Sequence, residues 1–326
     1  MFKICIIGCG AMSDLVHGDS LKKYAEENKD TRLCGCCDLD AERAEVYRQK
    51  YGFEHSYTDY KLMLDSEKPD AVCIVSPVNT TAELSCDVMK RGYPVIMEKP
   101  PGMNLVEVEQ IVNASKKYDK LAMAAFNRRY MPLLSHAKKI IDKFSNISSI
   151  YYTMVRYRRY DEDFSTTTIH AIDAVRYLSG SDYKSVNLSY QQVEGQRENV
   201  ENIYLDAVMK SGTRVHIDFV VAAGIQMEKF TVNGFDNTLD VYLPFGASPG
   251  GWLKHYYNNS PAIEVVGKKD VPDFISQGFY DENRIFFENV KKDKSCNNSD
   301  IHNAYSAVEI AEAIRKRKSN VDIIWE

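Results

Sequence analysis

The sequence predicts a two-domain α/β protein. Residues 1–125 should form a doubly wound parallel sheet, and residues 126–326 an α+β domain built on a large open, mainly antiparallel sheet. Three observations predict it. Short apolar runs alternate with helical patterns through the first 125 residues, which is how a parallel sheet with helices on both faces is encoded. A G-x-G pair, Gly8-Cys9-Gly10, follows the first run at once. After Asn127–Tyr130 and a helix the texture changes to strand-like runs joined by Gly, Asn and Ser turns, with few helices between.

Phe2–Ile7 reads as the first strand. Gly8 permits the tight turn after it, and Gly10, followed by Ala11 and Met12, lets the backbone approach a pyrophosphate at a helix N-terminus. Ser13 replaces the third glycine of the usual pattern and is still small enough for helix–strand packing. The second strand, Thr31–Cys37, ends in Asp38, whose carboxylate can accept ribose hydroxyls and would repel a 2′-phosphate. With no Lys or Arg adjoining Asp38, NAD is the expected cofactor in preference to NADP. Asp38 or Asp40 can also cap a helix over Ala41–Tyr51, which carries Arg43.

Tyr57–Asp65 reads as a short helix, Ala71–Val75 as a buried strand, and Thr80–Arg91 as a helix closed by Gly92. Pro94–Met97 is the next strand, Leu105–Lys117 a helix and Leu121–Ala125 a strand. Ser76-Pro77-Val78-Asn79 and Glu98-Lys99 then fall on the carboxyl edge shared with the glycine loop, where such sheets bind ligands. Pro100 holds Lys99 extended. By itself Glu98-Lys99 reads first as a surface pair before a turn, and it is the neighbouring motifs that overturn this.

In the second half Leu133–Lys143 reads as a helix. Ile147–Arg159, Val186–Val193, Ile203–Met209, Arg214–Val221, Glu228–Asn233 and Thr238–Leu243 read as strands, and Pro244–Lys269 as a surface loop. Gln277–Val290 and Asp300–Lys318 are expected helices, with Val321–Trp325 a late strand. Both alternating residue sets of Ile203–Met209 and Arg214–Val221 read as apolar or aromatic, so one sheet face is expected to meet a partner chain in a homodimer or homotetramer. Ser165–Thr168 offer N-caps for a helix Ile169–Leu178. On it Ala171, Ala174, Val175 and Leu178 form the apolar arc, while His170, Asp173 and Tyr177 share the opposite one. A polar arc is normally a solvated face, but this one lacks the Lys and Glu expected there.

The formal net charge of −5 argues against a nucleic-acid partner. The longest apolar runs span only a strand, which argues against a membrane helix. Met1–Gly10 reads as a strand and not a signal peptide, so the expected compartment is the cytoplasm. Cys5, Cys34, Cys36, Cys37 and Cys73 fall in expected core strands. Cys34 and Cys37 form a C-x-x-C with no second pair or nearby histidine, so no metal is expected.

Taken in order, G-C-G-A-M-S, C-D-L-D-A-E-R-A, S-P, E-K-P, N-R-R-Y and I-H-A-I-D-A-V-R-Y-L-S-G resemble the motif series of the Gfo/Idh/MocA family, the glucose–fructose oxidoreductase and inositol dehydrogenase relatives. The resemblance implies a Rossmann domain, an open-sheet domain used for oligomerisation, and NAD(P)-dependent redox chemistry on sugars, cyclitols or related polyols. It also implies that Lys99 is the active-site lysine, that Lys99–Pro100 is cis, and that Asp173 and Tyr177 fill the family's aspartate and His/Tyr positions. Asn127 falls with the cofactor residues, and Arg128, Tyr130, Arg156 and Arg158 with the substrate end, although arginines on a strand can equally be solvated. Two departures stand out: Thr81 where the family usually has histidine, and Ser165–Thr168 in place of glycines.

Taking a hydride from a secondary alcohol requires a base for the hydroxyl proton. Either Lys99 or Tyr177 can take it, with Asp173 orienting the ammonium and His170 binding a substrate hydroxyl. Two further readings are a catalytically silent NAD-binding sensor, and a glycosidase-type enzyme in which NAD oxidises a sugar only transiently before elimination.

Overall fold

The computed structural model describes residues 1–246, 248–293 and 301–323. The chain divides into two compact units, one of residues 1–127 with 273–305, the other of 128–272 with 306–326.

The first unit opens with β1 (Phe2–Ile7) and a π-helical turn, Ser13–His17, that runs into α1 (Gly18–Glu27). β2 (Thr31–Cys37), α2 (Ala41–Tyr51), β3 (His55–Tyr57), α3 (Tyr60–Glu67), β4 (Ala71–Ile74), α4 (Val78–Lys90), β5 (Val95–Glu98), α5 (Leu105–Tyr118) and β6 (Ala122–Ala125) follow. The six strands pair in parallel in the order β3-β2-β1-β4-β5-β6. β4, β5 and β6 are buried at every residue, as strands covered on both faces must be. β3 was not expected. Its last residue, Tyr57, stands where the sequence suggested the start of a helix, and α3 begins only after Asp59 caps it through the Lys61 N–H. Asp40, not Asp38, caps α2 by accepting from the Arg43 N–H.

In the second unit α6 (Pro132–Ile141) precedes β7 (Ile147–Val155), α7 (Ser165–Ser179), β8 (Tyr183–Gln192), β9 (Glu201–Met209), β10 (Arg214–Val220), β11 (Met227–Gly234), β12 (Asn237–Tyr242), β13 (Trp252–Tyr257) and β14 (Ser260–Val266). The chain then contributes α8 (Asp273–Ser276) and α9 (Phe279–Lys291) to the first unit. There α9 packs on α1, with Phe287 against the rings of Phe2 and Tyr24. After α10 (Tyr305–Arg315), β15 (Asn320–Asp322) closes a nine-stranded sheet ordered β14-β13-β12-β11-β7-β10-β9-β8-β15. Within this sheet only β7 and β10 pair in parallel among the described strands. The expected helix start at residue 300 and the end of the expected strand Val321–Trp325 lie outside the described residues.

Three expectations are corrected here. The segment read as a surface loop, Pro244–Lys269, contains the hairpin β13–β14, turned by Asn258 and Asn259 at φ +48° and +58°. A two-residue turn with both residues left-handed matches the twist of paired strands, and asparagine tolerates it. Ser165–Thr168 do not cap α7 but form its first turn, where Asp163 accepts from the Ser165 N–H and Thr168 bonds back to the Ser165 carbonyl. The sheet is also not apolar on both faces. One face is buried, with α6 and α7 against it. The other carries Tyr151, Tyr204, Asp206 and Asp218 around His216, which bridges the two aspartates at 2.7 and 2.9 Å.

Candidate active site

The strand order of the first sheet reverses between β1 and β4, and a cleft of about 1230 Å³ opens at the carboxyl ends of these strands. Gly8, Gly10, Asp38, Arg43, Ser76 and Pro77 line it. Gly8 has φ +100°, and a Cβ there would stand 2.0 Å from the Val75 carbonyl oxygen, so only glycine lets β1 and β4 lie this close at the turn. A Cβ on Gly10 would meet nothing within 4 Å, which leaves room for a ligand against the loop. Asp38 is fixed by the loop itself: one carboxylate oxygen accepts from Cys9 N–H at 2.9 Å. The other accepts from Asp40 N–H at 3.0 Å and from the Arg43 guanidinium at 3.1 Å. A permissive glycine turn, open space at Gly10 and an oriented carboxylate at the next strand end fit a dinucleotide. Arg43 therefore does stand beside Asp38, five residues on in sequence, although no basic residue adjoins it along the strand.

The remaining expected cofactor residues are placed less uniformly. Ala11 lines an adjoining hollow, and Met12 and Asn79 are exposed. Asn127 is fully buried, and its amide donates to the Gln277 carbonyl at 2.9 Å, tying the α8–α9 segment to the first unit. Thr81, at the position of the missing histidine, is also buried and bonds to Ser76 and to the Pro77 carbonyl. Lys99 is half-buried at the end of β5, and its bond to Pro100 is cis. Glu98 is buried and does not present a free carboxylate to the cleft. One oxygen meets His17 Nε2 at 2.7 Å and the other accepts from the Lys99 N–H at 3.0 Å. Burial raises its pKa, but the hydrogen bond from His17 and the charges of His17 and Lys99 outweigh it, so the net shift is downward.

In the second unit Asp173 is fully buried and forms a two-pronged ion pair with Arg129, with Arg129 Nε 2.8 Å from one oxygen. The Arg129 guanidinium also lies 5.8 Å from the centroid of the Tyr177 ring. Asp173, expected to orient an ammonium, thus has both oxygens committed to an arginine of the N-R-R-Y motif that carried no assigned role. Burial raises the Tyr177 pKa and Arg129 only partly opposes it, so Tyr177 is a neutral phenol at neutral pH. His170 is half-buried on the same helix.

The arginines expected at the substrate end are also accounted for differently. Arg128 and Arg156 both pair with Glu228, which is fully buried and accepts from Tyr152 Oη at 2.7 Å. Both guanidiniums face the Phe245 ring. β7 ends at Val155, so Arg156 and Arg158 lie beyond the strand; Arg158 is exposed at φ +52°, over the Tyr157 ring. Tyr130 is buried. Among the described residues no group of three His, Cys, Asp or Glu side chains could hold a metal ion. No described helix is long and apolar enough to cross a membrane.

The parallel sheet, the glycine turn and the oriented Asp38 define a unit built to bind a dinucleotide, followed by an open-sheet unit. Residues 2–126 match the model of the Gfo/Idh/MocA oxidoreductase family, NAD-binding Rossmann fold, and that part of the chain belongs to the family. Among curated relatives, myo-inositol 2-dehydrogenase of Thermotoga maritima is 25% identical over 255 residues, covering 74% of this chain and 72% of the relative. The NADP-dependent scyllo-inositol 2-dehydrogenase IolU of Bacillus subtilis is 28% identical over 172 residues, 52% of this chain and only 51% of the relative. In fold, the chain is similar to levoglucosan dehydrogenase solved with NADH and levoglucosan, at a TM-score of 0.82 and 19% identity, covering 99% of this chain and 100% of that one.

Proposed function

We propose that this chain is an NAD(P)-linked dehydrogenase that takes a hydride from a secondary hydroxyl carbon of a cyclitol, sugar or related polyol, or returns one to the carbonyl. The observation that carries the reading is in the first unit: the dinucleotide cleft and Lys99 lie on one sheet edge. The Gly8–Gly10 loop would hold the pyrophosphate and Asp38 the adenosine ribose. The bound nicotinamide supplies the hydride acceptor. Lys99 takes the hydroxyl proton or holds it in the reverse direction. Tyr177, kept neutral by burial, hydrogen-bonds to a substrate oxygen, and His170 binds a neighbouring hydroxyl. Asp173 acts through Arg129, which it holds beside the Tyr177 ring.

NAD is the proposed preferred cofactor because Asp38 faces the ribose position, but Arg43 neutralises part of that charge and narrows the margin over NADP. Assembly into a dimer or tetramer through the outward sheet face is part of the proposal, supported by the aromatic residues Tyr151 and Tyr204 on it.

The test is a panel of polyols and sugars followed by NAD(P)H absorbance, with NAD and NADP in parallel, on wild type and Lys99→Met. The substitution keeps most of the stem and removes the charge, so kcat should fall by ~10²–10⁴ while NADH affinity moves less than about tenfold. Normal turnover by Lys99→Met would overturn the role given to Lys99. Absence of turnover by wild type on the whole panel would favour a sensor. Turnover without accumulation of free NADH would favour transient oxidation with elimination.

A further inference from the structure

We propose that His17 and Glu98 are positioning residues, a buried anchor that fixes where Lys99 stands relative to the glycine loop. The inference rests on the reading of Lys99 as the proton-handling group. Glu98 links two places. Through one oxygen it holds the backbone N–H of Lys99, and through the other it meets His17, 81 residues earlier in the chain. His17 ends the π-helical turn that begins at Ser13, immediately after the Gly8–Met12 loop. A π-turn adds a residue to the helical repeat, and such turns are frequent where a side chain must be redirected for function. Here the turn leaves Asp14 and Leu15 outside and Val16 and His17 inside.

The imidazole is fixed from its other side as well. The Asn283 amide lies 3.4 Å from His17 Nδ1, and the same amide donates to the Phe279 carbonyl at 2.8 Å. The Phe279 ring meets the imidazole edge to face at 5.8 Å. Nε2 carries the proton donated to Glu98, while the Asn283 amide stands against Nδ1 on the far side of the ring. Both carboxylate oxygens of Glu98 are thereby satisfied. A buried carboxylate without such partners would be strongly unfavourable, so the contacts are mutually required.

A plain core contact would hold the fold and leave Lys99 indifferent. An anchor predicts effects on Lys99 itself. The carboxylate of Glu98 stabilises the neighbouring ammonium, so its removal should make Lys99 lose its proton at lower pH.

The experiment uses the full chain and the variants Glu98→Gln, His17→Leu and His17→Gln. Lys99 reactivity toward acetic anhydride is read by mass spectrometry across pH, NADH affinity by fluorescence, and kcat on the polyol that the panel selects. In Glu98→Gln the midpoint of Lys99 labelling should move to lower pH. In His17→Leu kcat should drop at least about tenfold with NADH affinity within about threefold, and His17→Gln, whose amide can still donate to Glu98, should recover most of it. An unmoved labelling midpoint in Glu98→Gln, with His17→Leu turning over within about twofold of wild type, would overturn the proposal. Should His17→Leu fail to fold, the labelling midpoint of Glu98→Gln and the turnover of His17→Gln decide by themselves. Normal turnover by Lys99→Met would instead defeat the underlying reading, while the labelling midpoint would still report whether the pair acts on Lys99.

Discussion

Replacing Asp173 by asparagine separates a group that performs chemistry from one that supports it. Asp173 is fully buried and Arg129 is 2% exposed, and their two-pronged pairing is surrounded by protein. The asparagine side chain would keep the shape and one carbonyl acceptor but leave the guanidinium charge without its counterion. Removing one partner of a buried ion pair typically costs about 3–5 kcal/mol, and the retained acceptor points to the lower end. At about 2–4 °C per kcal/mol for a cooperative unit of roughly 150–250 residues, Tm should fall by roughly 6–12 °C. Differential scanning calorimetry measures this directly. Arg129→Met should cost at least as much, because it strands the carboxylate, whereas Asp173→Leu with Arg129→Met should regain much of the loss. A Tm for Asp173→Asn within about 2 °C of wild type, together with a collapse of kcat, would refute the structural assignment and return Asp173 to the reacting groups.

Gly8→Ala places a Cβ 2.0 Å from a carbonyl oxygen at φ +100°, so NADH affinity by fluorescence titration should fall at least about tenfold, with some loss of Tm. Burial alone would raise the Glu228 pKa, but Arg128 and Arg156 dominate and hold it at about 2 against an ordinary 4.5. Its stabilising contribution is therefore complete above about pH 5 and lost as pH falls toward about 2. Glu228→Gln should have a lower Tm than wild type at about pH 7 and a smaller further loss between about pH 5 and 3, as followed by circular dichroism. Asp38→Ser should shift the NADH-to-NADPH affinity ratio toward NADPH by at least about tenfold, because Arg43 is then released from its carboxylate toward a 2′-phosphate. Light scattering at micromolar concentration should report a dimer or tetramer, and a monomer would end the assembly proposal.

Much of the first sheet was legible because each signal is local. Strand, glycine turn and helix follow one another within a few residues, and Asp38 directly ends its strand. The hairpin β13–β14 was less legible because its turn is marked by two asparagines and not by a glycine, and Ser-Pro opens its last strand. The ion pairs were hidden for a different reason. Arg129 and Asp173 are 44 residues apart, and Arg128 and Glu228 are 100 apart; each motif showed one partner without naming the other. A buried guanidinium and a solvated one look alike in sequence until the topology supplies the carboxylate. The spacing of His170, Asp173 and Tyr177 placed them on one arc of α7, but it did not reveal that Asp173 on that arc would be enclosed.

The return of residues 273–305 to the first unit constrains how this protein could be cut or recombined. A gene fragment ending at Asn127 would contain every strand of the parallel sheet yet lack α9, leaving Phe2 and Tyr24 without the Phe287 ring that covers them. It would also lack Asn283, and with it one support of the His17 imidazole. A minimal nucleotide-binding fragment therefore needs residues 273–305 spliced back on, for instance through a short linker from Asn127. Exchange of the open-sheet unit between related proteins would likewise need three junctions, near 127, 272 and 305, and a single crossover would mix incompatible halves of one hydrophobic core.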